Sequence, residues 1–374
     1  MTEVRRVLIY RLGSLGDTVI ALPALHLIAR VFPNAERRLL TNIPINVKAP
    51  PAAQILEHTG LVHSYVRYET GGRNPVELLR LWWRLFRWRP DVVVYLGSAR
   101  GVNSARRDEA FFRLCGAKRL IGVPLTEEMQ KNQWDDALHV LEPETARLAR
   151  NVSELGDAHL DDPDSWDLRL TKEERERARE VLRPLGQRPV IAMSVGTKRQ
   201  SKDWGKENWK ALLEHLADLY PSYGVVLCGA AEEWEASEFA AEGWRRKVAD
   251  HPSRSEALNL CGRVSPRECA AVLERSLIFL GHDSGPMHLA AAVQTPCVAV
   301  FSARNRPNVW FPYGRRHRVI YHKVDCWGCN LETCIVEKKR CIYSIEVKEV
   351  LAEVQALLAE PGMSEDARLV ERDC

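Results

Sequence analysis

Short apolar runs alternate with longer stretches in which apolar residues recur every three or four positions, and this alternation covers most of the 374 residues. In the first half, strands are predicted at 7–10, 38–41, 61–68, 91–96 and 119–123, with helices at 17–31, 75–88 and 104–115. In the second half, strands are predicted at 189–195, 224–228, 258–261 and 277–280, with helices at 206–219, from 232, and at 266–275 and 345–358. Such alternation is typical of parallel sheets covered on both faces.

A change of composition divides these two series of elements. Residues 157–187 are rich in Asp, Pro and charged side chains, and the alternation restarts near residue 185. The pattern predicts two doubly wound α/β domains, at residues 1–170 and 171–343, followed by a C-terminal helix at 344–360 and a flexible tail at 361–374.

The most informative loop follows the apolar run Leu277–Leu280. Asp283 or Ser284 can cap a helix there, Gly285 permits close approach to the backbone, and Pro286 suits the first helical turn. A helix N-terminus at the carboxyl end of a strand attracts phosphate. On this loop alone, a phosphate site and an ordinary helix cap are equally consistent with the sequence.

Three other loops carry candidate chemistry. In Arg11–Asp17, Gly13 and Gly16 lack the third glycine of a dinucleotide fingerprint, which argues against a nicotinamide enzyme. Asp17 is then either a helix cap or a general base. Ser194–Trp204 offers hydroxyls and cations that suit a diphosphate, or else forms a solvated basic loop. Glu233 is placed to accept from ribose hydroxyls, although Glu is also favourable in any first helical turn.

Taken together and in order, four motifs resemble glycosyltransferase family 9, the ADP-heptose:lipopolysaccharide heptosyltransferase group. They are Arg11–Asp17 with Leu22–Leu25, Lys202–Trp204 with Trp209, Gly262 before a helix, and Asp283–Ala292 with Thr295–Pro296. The resemblance implies a GT-B fold, in which the N-terminal domain binds the acceptor and the C-terminal domain binds the nucleotide sugar across a cleft. It also implies inverting, metal-independent transfer of heptose from ADP-heptose to a lipopolysaccharide-core or related glycan acceptor, with no cofactor required for catalysis.

The resemblance also assigns roles to individual residues. Asp17 matches the catalytic base, and Ser14 is expected to contact the acceptor. Thr197 and Lys202 match donor-phosphate contacts, Asp283 matches a carboxylate that binds sugar hydroxyls, and Glu233 and Val264 are expected at the ribose and adenine. The full expected donor set is Thr197, Lys202, Glu233, Val264, Asp283, Ser284, Gly285, Pro286 and His288.

One segment departs from the family pattern. After Val298–Phe301, where Gly-Pro-Thr is usual, the chain reads Ser302–Pro307 and includes Arg304 and Arg306. Two arginines near the donor indicate a different sugar or extra phosphate contacts. The alternatives to heptose transfer are another nucleotide sugar, heptosylation of a protein, and a noncatalytic nucleotide-sugar-binding protein on the same fold.

Four cysteines lie close together near the C-terminus, in a chain with 10 cysteines in all. Cys326, Cys329, Cys334 and Cys341 include a C-x-x-C pair and are candidate ligands of a structural Zn or Fe. Their irregular spacing equally fits reduced, partly buried thiols.

Charge and apolar patterning limit the partners. The net charge of +3 offers little global attraction to nucleic acid, and neither a signal segment nor a membrane span is evident, so a cytoplasmic protein is expected. In the helix at 75–88, Leu78, Leu81, Trp82 and Leu85 are expected to be buried. Trp83, Phe86 and Arg87 are the candidates for peripheral contact with the inner face of the membrane, which suits a lipid-linked acceptor. The loops at 44–51 and 71–74 carry no signature of a particular acceptor.

Overall fold

The computed structural model describes residues 3–43, 52–69, 75–136, 139–252 and 255–361. The chain divides after Arg169 into two compact units. The predicted acceptor loops at 44–51 and 71–74 lie outside the described residues, as does the predicted tail from residue 362 onward.

The first unit is built around a five-stranded parallel sheet in the order β3-β2-β1-β4-β5. Its strands are β1 Arg6–Tyr10, β2 Glu36–Ile43, β3 Ser64–Glu69, β4 Val92–Tyr95 and β5 Arg119–Ile121, followed by a short hairpin of β6 Trp134–Asp135 and β7 Val140–Leu141. Its helices are α1 Leu15–Val19, α2 Leu22–Val31, α3 Ala53–Leu56, α4 Pro75–Trp88, α5 Val102–Leu114, α6 Glu127–Gln130 and α7 Glu144–Asn151. The central strand β1 is buried on both faces, as a covered parallel sheet requires.

The helix predicted over residues 17–31 is two helices in the structure. α1 ends at Val19, and α2 starts at Leu22 with Pro23 in its first turn. Proline has no N–H to donate to the carbonyl of Val19, so a continuous helix would lose a hydrogen bond at this point. The break leaves α1 as a short helix that carries Asp17.

The second unit has a six-stranded parallel sheet in the order β10-β9-β8-β11-β12-β13. Its strands are β8 Val190–Ser194, β9 Gly224–Leu227, β10 Ala257–Asn259, β11 Ile278–His282, β12 Cys297–Phe301 and β13 Arg318–Tyr321. Its helices are α8 Lys172–Leu182, α9 Lys206–Leu219, α10 Trp234–Val248, α11 Pro266–Glu274, α12 Gly285–Ala292, α13 Arg340–Tyr343 and α14 Val347–Leu358. Both units therefore have the doubly wound α/β architecture that the sequence predicts.

The core of the second unit is unusually rich in tryptophan. Trp204, Trp209 and Trp244 are fully buried against strands β8, β9 and β11 and helices α9 and α10. The C-terminal helix α14 contributes Val350, Val354 and Leu357 to the same core. α14 is thus packed into the second unit.

Candidate functional site

The donor residues that the sequence predicts all lie on the segments that follow the carboxyl ends of β8, β9, β10 and β11. Thr197 and Lys202 follow β8, Glu233 follows β9, and Val264 precedes the Ser265 cap of α11. The remaining five lie between Asp283 and His288, where β11 passes into α12. In parallel sheets this edge is the usual place for a ligand.

An ion pair joins the loops after β8 and β11. Nζ of Lys202 lies 2.5 Å from Oδ2 of Asp283 and donates to the Asp283 backbone carbonyl at 3.2 Å. The side chains are 14% and 7% exposed. Asn305 donates its amide N–H to the same carboxylate oxygen at 3.3 Å. Since a lysine ammonium has three donors, Lys202 can hold Asp283 and still donate to a ligand.

Helix α12 begins directly beside this ion pair. Ser284 is its N-cap and Pro286 lies in its first turn, so the amides at this end have no acceptor within the helix. The hydroxyls of Ser194, Ser284 and Ser302 are buried and have no hydrogen-bond partner in the described structure. Ser194 is the last residue of β8, and Ser284 and Ser302 follow the ends of the neighbouring strands β11 and β12. A positive helix end, an ammonium and unpartnered hydroxyls together suit an anionic, hydroxyl-rich ligand.

The carboxylate of Glu233 lies between two glycines at the ends of β8 and β9. Oε2 accepts the Ala230 N–H at 2.9 Å, and a β-carbon at either Gly196 or Gly229 would overlap this carboxylate. The two glycines are therefore needed for Glu233 to reach the sheet edge.

Val264 is half-buried beside α11, and His288 is 5% exposed with its ring centroid 6.5 Å from that of Trp310. His288 is thus a buried residue at the end of the first turn of α12.

Arg304 makes contacts that the sequence did not reveal. Its guanidinium donates to the carbonyls of Leu331 and Asn330 at 2.8 and 2.7 Å and to Asn305 Oδ1 at 3.0 Å. The guanidinium of Arg306 lies 5.5 Å from the ring centroid of Trp327. Arg304 therefore orients Asn305, and through it Asp283, while fastening a later segment of the chain.

That later segment, residues 326–341, is attached to the donor loops at several points, a feature that the sequence did not reveal. Ser201 donates its backbone N–H to the Glu332 carbonyl at 3.1 Å and its hydroxyl to the Leu331 carbonyl at 2.6 Å. Cys334 donates its backbone N–H to Gln200 Oε1 at 2.9 Å, and Lys339 Nζ donates to the Asp203 carbonyl at 2.9 Å. The segment supports the loop that carries Lys202.

The described residues do not support the metal site predicted in this segment. Among the described residues, no three His, Cys, Asp or Glu side chains are arranged to hold a metal ion. Cys341 packs against the core on α13, Cys334 Sγ accepts the Lys339 N–H at 3.4 Å, and Cys329 is exposed. The structural Zn or Fe expected at Cys326, Cys329, Cys334 and Cys341 is therefore unsupported by the described part of the chain.

In the first unit, Asp17 lies at the carboxyl edge of the sheet, in the first turn of α1. Its Oδ2 accepts the Ser14 backbone N–H at 2.7 Å and the Ser14 hydroxyl at 2.9 Å. The buried guanidinium of Arg11 donates to the Asp17 carbonyl at 2.9 and 2.5 Å and lies 3.7 Å from Oδ1. Asp17 therefore caps α1 through Ser14, and its side chain remains 23% exposed. Ser14 is in direct contact with the predicted base.

A second polar cluster at the same edge was not predicted. Arg100 donates to the Tyr10 hydroxyl at 2.9 Å and pairs with Asp108, which accepts the Tyr95 hydroxyl at 2.9 Å. Burial raises the pKa of Tyr95 to about 12, so this phenol stays protonated. Tyr10 and Tyr95 were read only as strand residues because a terminal tyrosine fits the apolar pattern of a buried strand.

Helix α4 differs from expectation on one face. Leu81 and Leu85 are buried and Trp82 is half-buried, but Leu78 is 47% exposed. The first six residues of α4 are all exposed, and the buried core of this unit includes Leu81, Leu85 and Trp88 of the helix. In the part of the chain that the structure describes, no helix has the length and apolar character needed to cross a bilayer.

Two doubly wound units, the second with a phosphate-compatible helix end beside a lysine, are typical of α/β proteins that bind nucleotides. The comparisons with known proteins specify the class further. The model of glycosyltransferase family 9 (heptosyltransferase) matches residues 125–340, more than half of the chain. The chain therefore belongs to this family.

Curated relatives and solved structures agree with this assignment. Lipopolysaccharide heptosyltransferase 3 of Escherichia coli (strain K12) is 26% identical over 199 residues, covering 51% of this chain and 53% of that protein. The chain thus spans about half the length of the curated relatives it matches.

Two solved structures are similar over almost the whole chain. A family 9 glycosyl transferase from Veillonella parvula has a TM-score of 0.69 at 16% identity, covering 96% of this chain and 98% of that one. The E. coli heptosyltransferase WaaC with ADP has a TM-score of 0.61 at 18% identity, covering 94% and 99%. The predicted GT-B fold class, with two Rossmann-like units, is confirmed.

Proposed function

We propose that this protein is an inverting glycosyltransferase that moves heptose from ADP-heptose to a lipopolysaccharide-core or related glycan acceptor. The observation that carries the proposal is the Lys202–Asp283 pair beside the N-terminus of α12, with buried unpartnered serine hydroxyls at the same sheet edge. Family membership supports the activity, and ADP in the related WaaC structure supports adenosine diphosphate as the nucleotide.

The donor half of the reaction is assigned to the second unit. The diphosphate would accept from the α12 amides, from Lys202 and from Thr197, which together stabilise the negative charge of departing ADP. Asp283 would accept from sugar hydroxyls, Glu233 from the ribose hydroxyls, and Val264 would contact the adenine. The negative charge of the diphosphate would be balanced by an ammonium and the positive end of a helix. We therefore expect no divalent metal to be required.

The acceptor half is assigned to the first unit. The Asp17 carboxylate would take the proton from an acceptor hydroxyl as its oxygen attacks the anomeric carbon, while the bond from that carbon to the diphosphate oxygen breaks. One displacement inverts the anomeric configuration. Arg11 holds the Asp17 backbone, and Ser14 orients the carboxylate through two hydrogen bonds, leaving Oδ1 to receive the proton.

Substitution of the base separates binding from transfer. Asp17→Asn is expected to lower the rate of heptose transfer by roughly 10²–10⁴-fold, the range typical of a lost general base. The dissociation constant for ADP should stay within about twofold of the wild-type value. Ser104→Ala, also at the start of a helix in the first unit, is the matched control and should leave transfer unchanged. Full transfer by Asp17→Asn would refute the base assignment, and ADP binding without any transfer would favour a noncatalytic binding protein.

The protein is further proposed to associate with an anionic membrane through α4. Val76, Leu79 and Trp83 are 50%, 62% and 50% exposed and recur at the spacing of one helix face. Arg80, Arg84 and Arg87 are exposed on the same helix. Apolar side chains flanked by arginines suit a helix that lies at an anionic lipid surface.

Vesicle flotation tests this association. The wild-type protein should float with vesicles containing phosphatidylglycerol, and Trp83→Ser should reduce the bound fraction. Leu219→Ser is the control, since Leu219 is 47% exposed on α9, a helix without arginine. Equal flotation with neutral vesicles, or none with either, would overturn the membrane assignment.

A further inference from the structure

His282 is the last residue of β11 and immediately precedes Asp283. It is fully buried, and its Nε2 accepts two hydrogen bonds, from the Trp204 backbone N–H at 3.0 Å and from the Trp209 indole N–H at 3.3 Å. The rings of His282 and Trp209 also meet edge to face, with centroids 5.0 Å apart. A histidine next to the donor-site carboxylate therefore acts as a buried acceptor.

These contacts fix the state of the ring. Because both donors point at Nε2, this nitrogen must present its lone pair, and the proton of the neutral ring is assigned to Nδ1. Nδ1 lies near the backbone of Gly196 but has no partner at good hydrogen-bonding geometry. A protonated ring would carry an N–H at Nε2. This N–H would point at the Trp204 and Trp209 N–H groups, which Nε2 now accepts. Burial disfavours that form and lowers the pKa of His282 to about 4.

The hydrogen bond to Trp204 links two segments of the proposed donor site. Trp204 is two residues after Lys202, and His282 is one residue before Asp283. The Lys202–Asp283 ion pair thus lies beside a backbone connection between the same two segments. Trp204 is itself held by its indole N–H, which donates to the Ile345 carbonyl at 2.8 Å. The charged groups around the imidazole are Lys202, Asp203 and Asp283.

We propose that His282 is a positioning residue for the donor diphosphate. Its neutral Nε2 holds the backbone of the Lys202–Trp204 loop against the end of β11, so that the Lys202 ammonium stays on Asp283 and faces the α12 N-terminus. The inference rests on the proposed function, because it assigns to His282 a role in binding the same donor.

Substitutions at position 282 can distinguish a required hydrogen-bond acceptor from a side chain that only fills space. Leucine at position 282 would retain apolar volume but leave the Trp204 and Trp209 N–H groups buried without an acceptor. Glutamine can place its amide oxygen near the position of Nε2, whereas the shorter asparagine cannot. The order of the variants in donor affinity is therefore predicted to be wild type, then Gln, then Asn and Leu.

Calorimetric titration with ADP, followed by steady-state kinetics with ADP-heptose, tests this order. His282→Leu and His282→Asn should weaken ADP binding by about tenfold or more and raise the donor KM, with kcat at saturating donor within about twofold. His282→Gln should restore the dissociation constant to within about threefold of wild type. Val300→Ala, at the position paired with His282 in β12, is the control for simple loss of core packing.

The outcomes separate the two levels of the proposal. A wild-type protein that binds no ADP overturns the proposed function. If wild type binds ADP and all three His282 variants bind it equally well, the positioning role is wrong. A stable His282→Gln variant that binds as weakly as His282→Leu also overturns it, because the acceptor would then not be what matters. If the Leu variant does not fold, the comparison of Asn with Gln decides the same question.

Discussion

Acidification should destabilise the protein through His282, and the size of the effect follows from its burial. Burial lowers the pKa of His282 from 6.5 to about 4. The unfolded chain therefore binds a proton at a higher pH than the folded chain does. The stabilising contribution is complete above about pH 6.5 and is lost as the pH falls from there toward about 4. Between about pH 7.5 and about pH 5, linkage gives a loss of about 2 kcal/mol in the free energy of unfolding.

A second imidazole, which is half-buried, contributes to the same trend. Burial lowers the pKa of His317 to about 4, and its Nδ1 accepts the Cys297 N–H at 3.1 Å. The total acid sensitivity therefore exceeds the contribution of His282, and only a comparison of variants isolates it. His282→Gln removes the titrating ring while keeping an acceptor, so its loss of stability on acidification should be smaller than that of wild type by about 2 kcal/mol.

Urea unfolding followed by circular dichroism at the two pH values provides the measurement. His215→Gln is the control for the chemistry of the substitution, because His215 is exposed on α9 in the same unit. The reasoning is refuted if wild type and His282→Gln lose the same free energy on acidification. A variant that loses more than wild type would contradict the assigned sign.

Three further predictions concern other parts of the structure. Gly13→Ala should impair heptose transfer more than ADP binding, because Gly13 has φ 138° and a β-carbon there would overlap Asp17. The transfer rate and the ADP affinity of the variant check this, and equal losses in the two quantities would contradict it. Arg304→Met should destabilise the protein by roughly 1–3 kcal/mol, since it removes the guanidinium hydrogen bonds to the carbonyls of Leu331 and Asn330, of which the Leu331 carbonyl keeps its bond from the Ser201 hydroxyl. Chemical denaturation measures the change, and an unchanged midpoint would refute it. Transfer should persist in excess EDTA, and loss of activity restored by Mg²⁺ would contradict metal-independent catalysis.

Local chemistry explains why much of the fold could be predicted. Covered parallel strands such as β8 and β11 are continuous apolar runs, and Ser265 and Pro266 mark the start of α11 by ordinary capping rules. The strand β13 was not predicted because it lies at the sheet edge, where Arg318 and Tyr321 are only half-buried and interrupt the apolar pattern.

The candidate site was predictable only in part. Lys202 and Asp283 could be placed at one edge because each follows a parallel strand of the same sheet. The attachment of residues 326–341 to the donor loops could not, because it joins Ser201 to Leu331 across a sequence separation of 130 and follows no periodic pattern. For the same reason, the hydrogen bonds of Arg304 to backbone carbonyls of that segment could not be predicted.

The central claim is that the carboxyl edge of the second unit binds an adenosine diphosphate sugar. Calorimetric titration of the wild-type protein and Lys202→Ala with ADP and with UDP tests this claim most directly. The account predicts saturable binding of ADP, weaker binding of UDP, and a loss of ADP affinity of about tenfold or more in Lys202→Ala. Equal affinity for both nucleotides, or an ADP affinity that Lys202→Ala leaves unchanged, would contradict it.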